Sequence, residues 1–166
     1  MSRVLLSLGA NLDDKASNVK KAMEIISGWD DVSSCRTSGL YITKPWGYTD
    51  QDDFVNSAMS FESGIAPAAL LSRIHALEAD FKRRRIIRYG PRTLDIDIIC
   101  LGSLQMNDAA LTIPHPRMAQ RAFVLVPLES IEPNFIVPGF DKSVRELCYA
   151  LPEDELSGVR IMTYEK

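Results

Sequence analysis

Asp95 and Asp97 are the residues with the clearest chemistry in this sequence. They lie in Thr93-Leu-Asp-Ile-Asp-Ile-Ile-Cys100, a stretch whose alternation reads as a strand. That alternation puts Leu94, Ile96, Ile98 and Cys100 on one face and Thr93, Asp95, Asp97 and Ile99 on the other. The two carboxylates then share a face, roughly 6.6 Å apart along the strand. Unpaired, they would raise each other's pKa. A divalent cation removes that repulsion, and oxygen ligands suit magnesium. The plain alternative is a strand with one wet face. Asp is a poor strand former, however, and two in one short apolar strand are unusual.

Just upstream, Lys82, Arg83, Arg84, Arg85, Arg88 and Arg92 form a cationic run without an acid, broken by the turn signal Gly90-Pro91. A solvated helix end accounts for a basic residue or two. It does not account for the abrupt passage from Gly-Pro-Arg to two aspartates. Polyphosphate held through magnesium needs both parts, metal on one side and guanidinium forks on the other. No Gly-x-x-x-x-Gly-Lys-Ser/Thr loop is present, so nucleotide phosphates must be gripped in another way.

The elements that must carry these residues follow from periodicity. Residues 3–8 read as a strand. A helix over 15–27 places Val19, Ala22, Met23 and Ile26 on one face, and residues 32–43 read as one long extended segment. Residues 44–53 are a loop by composition, with two large aromatics, Trp46 and Tyr48. A strand over 54–61 puts Phe54, Asn56, Ala58 and Ser60 on one face. There Asn56 is either a structural amide or a ligand-binding one. Pro67 opens a second helix with the stripe Leu70, Leu71, Ile74, Leu77 and Phe81, and His75 and Glu78 lie beside that stripe.

Residues 102–108 read as a hairpin turn, followed by a short strand near 111–113 and a rigid Pro114-His-Pro-Arg117 turn. Helical character over 118–131 is interrupted at Pro127. Ser143 caps a last helix that buries Val144, Leu147 and Cys148, and residues 159–164 form a closing strand. The order predicts an α+β fold, a largely antiparallel sheet with helices packed on it, in a single domain spanning 1–166.

Composition narrows the classes. With 46% apolar and 25% charged residues the chain is that of an ordinary globular protein. The net charge of −3 argues against a dedicated nucleic-acid binder, which would be basic overall. No apolar run is long enough to span a bilayer, and acids arrive too early for a signal peptide. Cys35, Cys100 and Cys148 lack metal spacing and read as reduced thiols, so a cytoplasmic location is expected. Nothing suggests an obligate interface, and a monomer is expected.

The motifs resemble those of the 6-hydroxymethyl-7,8-dihydropterin pyrophosphokinase family. Arg88-Tyr-Gly-Pro-Arg-Thr-Leu-Asp-Ile-Asp-Ile-Ile is similar to its central motif. Three further stretches agree in order and spacing: Ser7-Leu-Gly-Ala-Asn-Leu, Tyr41-Ile-Thr-Lys-Pro-Trp-Gly with Gln51 and Phe54-Val-Asn56, and Pro114-His-Pro-Arg with Arg121-Ala-Phe-Val-Leu-Val-Pro-Leu128. The likeness covers about residues 4–128. It implies a ferredoxin-like three-layer αβα core with long mobile loops. It also implies transfer of the β,γ-diphosphate of ATP to the hydroxymethyl group of 6-hydroxymethyl-7,8-dihydropterin, with release of AMP.

By that likeness Asp95 and Asp97 hold two magnesium ions, and Arg83, Arg85 and Arg92 neutralise the moving diphosphate. Thr43, Pro45, Phe54, Asn56 and Phe123 line the pterin slot, and Tyr89 closes over it. Leu71, His75, Glu78, Ile98, Leu111, Thr112, His115 and Arg121 form the ATP side. The chain departs from the family pattern in having Lys82 for a usual glycine, Tyr89 for a common tryptophan and Pro116 after His115. The spacing from Arg85 to Tyr89 is also one residue short, which leaves the roles of Arg83, Arg84 and Arg85 interchangeable.

The side chains themselves suit such a substrate. Phe54 and Phe123 offer faces to a flat ring, and Asn56 offers a donor and an acceptor to its edge. Two other readings use part of the same features: a ferredoxin-like RNA-binding module and a metal-dependent phosphohydrolase. The first leaves two aspartates facing phosphates with the wrong sign.

Overall fold

The computed structural model describes residues 1–12, 14–44, 52–81 and 93–162. Strand β1 (Ser2–Ala10) is buried from residue 4 to residue 10 without a break. Burial on both faces is the mark of a central strand. Val4, Leu6, Leu8 and Ala10 belong to one apolar layer and Leu5 to the other. Helices α1 (Lys15–Ser27) and α2 (Pro67–Asp80) cover the first face through Val19, Ala22, Met23, Ile26, Leu70, Ile74 and Leu77. Helices α3 (Ala122–Ile131) and α4 (Val144–Tyr149) cover the second through Val124, Leu125, Leu128, Val144 and Leu147. The result is the expected three-layer αβα sandwich.

Strands β2 (Val32–Thr37), β3 (Tyr41–Thr43) and β4 (Phe54–Ser63) follow in the chain, and β5 (Asp95–Leu101) comes after α2. β1 pairs antiparallel with β4 on one side and β5 on the other, while β2 and β3 both pair with β4. The extended segment over 32–43 is thus two strands, because both halves pair with β4 and Ser38 between them bonds to it. The Ser38 N–H donates to the Ala58 carbonyl at 2.9 Å, and the Ala58 N–H donates to Ser38 Oγ at 2.8 Å.

Two small hairpins follow, β6 (Met106–Asn107) with β7 (Thr112–Ile113) and β8 (Ile136–Val137) with β9 (Lys142–Ser143). After α4 come a short helix α5 (Glu153–Ser157) and strand β10 (Arg160–Ile161), which closes the sheet against β3 in the order β10-β3-β4-β1-β5. Ser143 caps α4 as expected, within a capping box shared with Glu146, but α5 makes α4 the penultimate helix.

Three expectations are corrected. First, α3 runs through Pro127 without the interruption expected there. An internal proline costs about 3 kcal/mol. Burying Val124, Leu125 and Leu128 at roughly 1.5–3 kcal/mol each outweighs it. Second, Glu78 is 3% exposed and lies within the buried stripe of α2, not beside it. Third, the alternation expected over residues 93–100 holds only as far as Ile99. Leu6 faces Ile98 while Leu5 faces Cys100, so Ile99 is the extra residue of a β-bulge. Cys100 therefore joins Ile99 in the α3 layer, opposite Ile98, and Leu101 returns to the first layer. Burial raises the Cys100 thiol to about 12, which keeps it protonated and inert. The bulge lies beyond the two acids, so Asp95 and Asp97 keep their common face.

The end of α3 is tied to the sheet by Glu132. Its carboxylate accepts from Arg3 Nε at 2.8 Å, Ser60 Oγ at 2.7 Å and Arg36 Nη1 at 3.1 Å. Glu132→Ala leaves the mostly buried Arg3 guanidinium without this partner. Unfolding in denaturant is expected to show a loss of about 3 kcal/mol, with turnover of the folded enzyme unchanged. Among the described residues no helix is long and apolar enough to cross a membrane.

Candidate active site

Register brings the candidate residues together. Gly9 of β1 pairs with Asp95 on one side and with Asn56 on the other, and Asn56 in turn pairs with Tyr41. Directly paired residues share a face, so Asn56, Gly9 and Asp95 form one row on the α3 side of the sheet. Two strand spacings separate Asn56 from Asp95, about 10 Å. The next row holds Ala58, Ser7 and Asp97.

Gly9 is the low point between the two polar side chains. A Cβ there would lie 2.6 Å from Asn56 Oδ1. The amide has little freedom to move aside, because its Nδ2 donates to Thr43 Oγ1 at 2.6 Å and both side chains are buried. The structural reading of Asn56 is therefore realised, and its Oδ1 and second N–H remain in the acceptor and donor inventory. Phe54 is paired with Thr43 and half-buried, and Phe123 lies half-buried in the first turn of α3. The Arg121 guanidinium stacks 5.4 Å from the Phe123 ring centre.

Among the described strands the sheet ends at β5, and a cavity of about 320 Å³ opens along its outer edge. Its walls come from three places. Leu71, His75 and Glu78 come from α2, residues 95–98 from β5, and residues 108–112 with His115 and Pro116 from the β6–β7 hairpin and the turn after it. Seven of the residues expected on the ATP side thus line one cavity together with both acids: Leu71, His75, Glu78, Ile98, Leu111, Thr112 and His115. Arg121 is not among its walls and sits with Phe123 instead. Pro45, Arg83, Arg85, Tyr89 and Arg92 lie outside the described residues.

His115 is held from two directions. Its N–H donates to the carbonyl of the bulge residue Ile99 at 2.9 Å, and its Nδ1 accepts from the Arg117 N–H at 3.2 Å. The proton of the neutral ring is then on Nε2, which makes His115 a hydrogen-bond donor. Burial, with the nearby Arg121 and Arg117 charges, lowers its pKa to about 4 against the opposing pull of Asp95. The unfolded chain protonates His115 first as pH falls from the ordinary 6.5, so stability is lost between there and about 4. Thermal unfolding of His115→Gln is expected to lose part of the acid-limb slope of the parent over that window. An unchanged slope would show that the ring is not held neutral.

Asp95 and Asp97 are each partly exposed. Among the described residues no group of three or more His, Cys, Asp or Glu side chains could hold a metal. Two carboxylates fit magnesium under one condition: water and phosphate oxygens must complete its octahedron, as is usual for that ion. A dedicated all-protein cage would not fit.

Several contributors were missed in the sequence. The Asp108 carboxylate accepts from the N–H groups of Ala110 and Leu111, both at 2.9 Å, and so shapes one cavity wall. An Asp two residues ahead of a turn is a readable signal for this. Asn11 donates to the Asp52 carbonyl at 3.1 Å and Lys15 to the Asp53 carbonyl at 2.8 Å, anchoring the start of the strand that bears Asn56. Gly9 stood inside a matched motif, yet only the register reveals what it separates.

Known proteins of similar sequence and fold identify the family. A model of the 7,8-dihydro-6-hydroxymethylpterin-pyrophosphokinase (HPPK) family matches residues 5–133. The chain is 38% identical to the 2-amino-4-hydroxy-6-hydroxymethyldihydropteridine pyrophosphokinase of Methylorubrum extorquens, over 96% of this chain and 98% of that protein. It is 35% identical to the enzyme of the same name from Pseudomonas aeruginosa, over 92% of this chain and 93% of that one. A crystal structure of an HPPK-DHPS in complex with substrates superposes with a TM-score of 0.70 at 12% identity, over 90% of this chain and 43% of that longer one. The wild-type HPPK-DHPS of Plasmodium falciparum with pteroate gives 0.69 at 14% identity, over 90% and 42%. At such identities these two support the fold alone. Family match and near full-length relatives together place the chain in the 7,8-dihydro-6-hydroxymethylpterin pyrophosphokinase family.

Proposed function

We propose that this chain, as one catalytic domain over residues 1–166 acting in the cytoplasm, performs its reaction at the outer edge of β5 with Asp95 and Asp97 as the metal-binding acids. The reaction is ATP-dependent pyrophosphoryl transfer to hydroxymethyldihydropterin, a step of folate biosynthesis. The pterin alcohol oxygen bonds to the β-phosphorus, the bond from that phosphorus to the α–β bridging oxygen breaks, AMP leaves with that oxygen, and the hydroxyl proton passes to water. The observation that carries the site assignment is the row Asn56–Gly9–Asp95. It sets an amide and a carboxylate on one sheet face, with a residue between them that lacks a side chain, which supports a ring-binding role for the first and a metal-binding role for the second.

Asn56, steadied by Thr43, orients the pterin edge, and Phe54 and Phe123 hold its faces. The nucleotide occupies the cavity between α2, β5 and the β6–β7 hairpin, where His115 offers Nε2–H to a phosphate oxygen. Arg83, Arg85, Arg92 and Arg121 balance the phosphate charge. Two magnesium ions bound through Asp95 and Asp97 would supply Lewis-acid polarisation of the phosphates and a lowered pKa at the attacking hydroxyl. The protein's own work is positioning and preorganised charge, the usual basis of phosphoryl transfer.

An assay of AMP formation with and without the pterin alcohol tests this reading. Strict dependence on the alcohol supports it. AMP or phosphate released without pterin would instead favour a hydrolase, and no turnover at all a binding module.

A further inference from the structure

The two acids sit on an edge. Among the described strands β5 pairs only with β1, so every second N–H along it points away from the sheet. One of these outward groups belongs to Ile96, the residue between Asp95 and Asp97. It does not meet bulk water. The carboxylate of Glu78, on α2, accepts it at 2.8 Å.

Glu78 is 3% exposed and shares the buried face of α2 with Leu70, Ile74 and Leu77. A carboxylate is costly to desolvate there, and another leucine would fill such a position more cheaply if packing were the whole purpose. What a leucine cannot do is accept a hydrogen bond, and a charged acceptor makes the strong kind. The strand is thereby gripped on both sides at the acids. Asp95 and Asp97 face Gly9 and Ser7 of β1, and the peptide between them is held by α2. Magnesium demands near-ideal octahedral geometry, so small errors in carboxylate position are felt directly at the ion.

We propose that Glu78 is a positioning residue, whose bond to the Ile96 N–H sets the spacing and direction of Asp95 and Asp97. This rests on the reading that those two aspartates bind the metal. A merely structural role, or direct contact with the nucleotide in the cavity that Glu78 also borders, predicts different results.

The test compares Glu78→Ala, Glu78→Asp and Glu78→Gln with the parent and with Asp97→Ala, each first shown to be folded by circular dichroism. Three quantities are read. They are amide hydrogen exchange at Ile96, Mn²⁺ binding by electron paramagnetic resonance in the presence of a non-hydrolysable ATP analogue, and binding of that analogue without metal. Loss of one hydrogen bond predicts exchange at Ile96 and the Mn²⁺ dissociation constant each rising about tenfold in Glu78→Ala. Metal-free analogue binding falls clearly less than the Mn²⁺ affinity, because Glu78 only borders the cavity. Glu78→Asp, one methylene short of Ile96, follows Glu78→Ala and keeps the test open if the alanine variant does not fold. Glu78→Gln retains a neutral acceptor oxygen, so its Mn²⁺ affinity and Ile96 exchange fall between the parent and Glu78→Ala.

Parent-level Mn²⁺ binding in folded Glu78→Ala or Glu78→Asp overturns the proposal. So does an equal loss of metal-free analogue binding in the alanine and glutamine variants, which would mark a nucleotide contact. Asp97→Ala separates the two layers of argument. If it too binds Mn²⁺ normally, the metal assignment itself has failed; if it alone loses Mn²⁺, only the role of Glu78 has.

Discussion

Asp97→Ala is expected to lower the turnover number by about 10³-fold or more, with saturating ATP, pterin and magnesium. A metal's stabilisation of transition-state charge is worth several kcal/mol, and each 1.36 kcal/mol is a factor of ten in rate. With one carboxylate gone, Asp95 would be left on that face to hold the ions, and charge on the migrating diphosphate would no longer be balanced where it develops. The fold has little reason to fail. Asp97 is partly exposed and pairs with Ser7 through a backbone ladder that alanine preserves. Asp95→Ala is expected to behave alike. Steady-state AMP formation beside a thermal melt measures both properties at once. A folded variant within about tenfold of the parent would remove Asp97 from the machinery, since tenfold is only about 1.4 kcal/mol.

Asn56→Ala is expected to lose about 10²-fold in kcat/KM for the pterin, a free-energy loss of about 2.7 kcal/mol. Two causes add. The ring edge loses a donor and an acceptor, and Thr43 Oγ1 loses the amide that donates to it at 2.6 Å in a buried setting. An unsatisfied buried polar group alone costs about 1–3 kcal/mol. Affinity for a non-hydrolysable ATP analogue is expected to hold, because the cavity proposed for the nucleotide lies on the far side of Asp95. Gly9→Ala is the companion test. Its Cβ would reach within 2.6 Å of Asn56 Oδ1 and push the amide from Thr43, so the same selective loss for pterin is expected with Asn56 unaltered. If both variants lost ATP and pterin affinity equally, the row across the sheet would be a structural seam and not a substrate floor.

Much of this enzyme was legible along the chain because its signals are local. The buried set of α1, namely Val19, Ala22, Met23 and Ile26, is the set that a 3.6-residue period selects. Asp95 and Asp97 share a face because a strand alternates, and the Ser143 cap shows as a polar residue ahead of an apolar run. Signals that failed were those needing a partner from elsewhere. Pro127 reads as a break until the burial of its neighbours is counted against the lost bond. Glu78 reads as lying beside the apolar stripe of its helix until Ile96 is found at its tip. Cys100 was put on the wrong face by a bulge that no residue type announces, since its cause is the register against Leu5 and Leu6.

Sequence alone determined the chemistry on offer: two carboxylates at a spacing of two, a cationic run before them, an aromatic and amide set, and the family that uses such parts. These are properties of residue type and short-range period, which the backbone imposes wherever the chain goes. Tertiary structure decided their mutual placement. Asn56 and Asp95 are 39 positions apart in the chain, yet they lie one strand either side of Gly9. Nothing local fixes that, because pairing register depends on how two apolar layers close over a shared central strand.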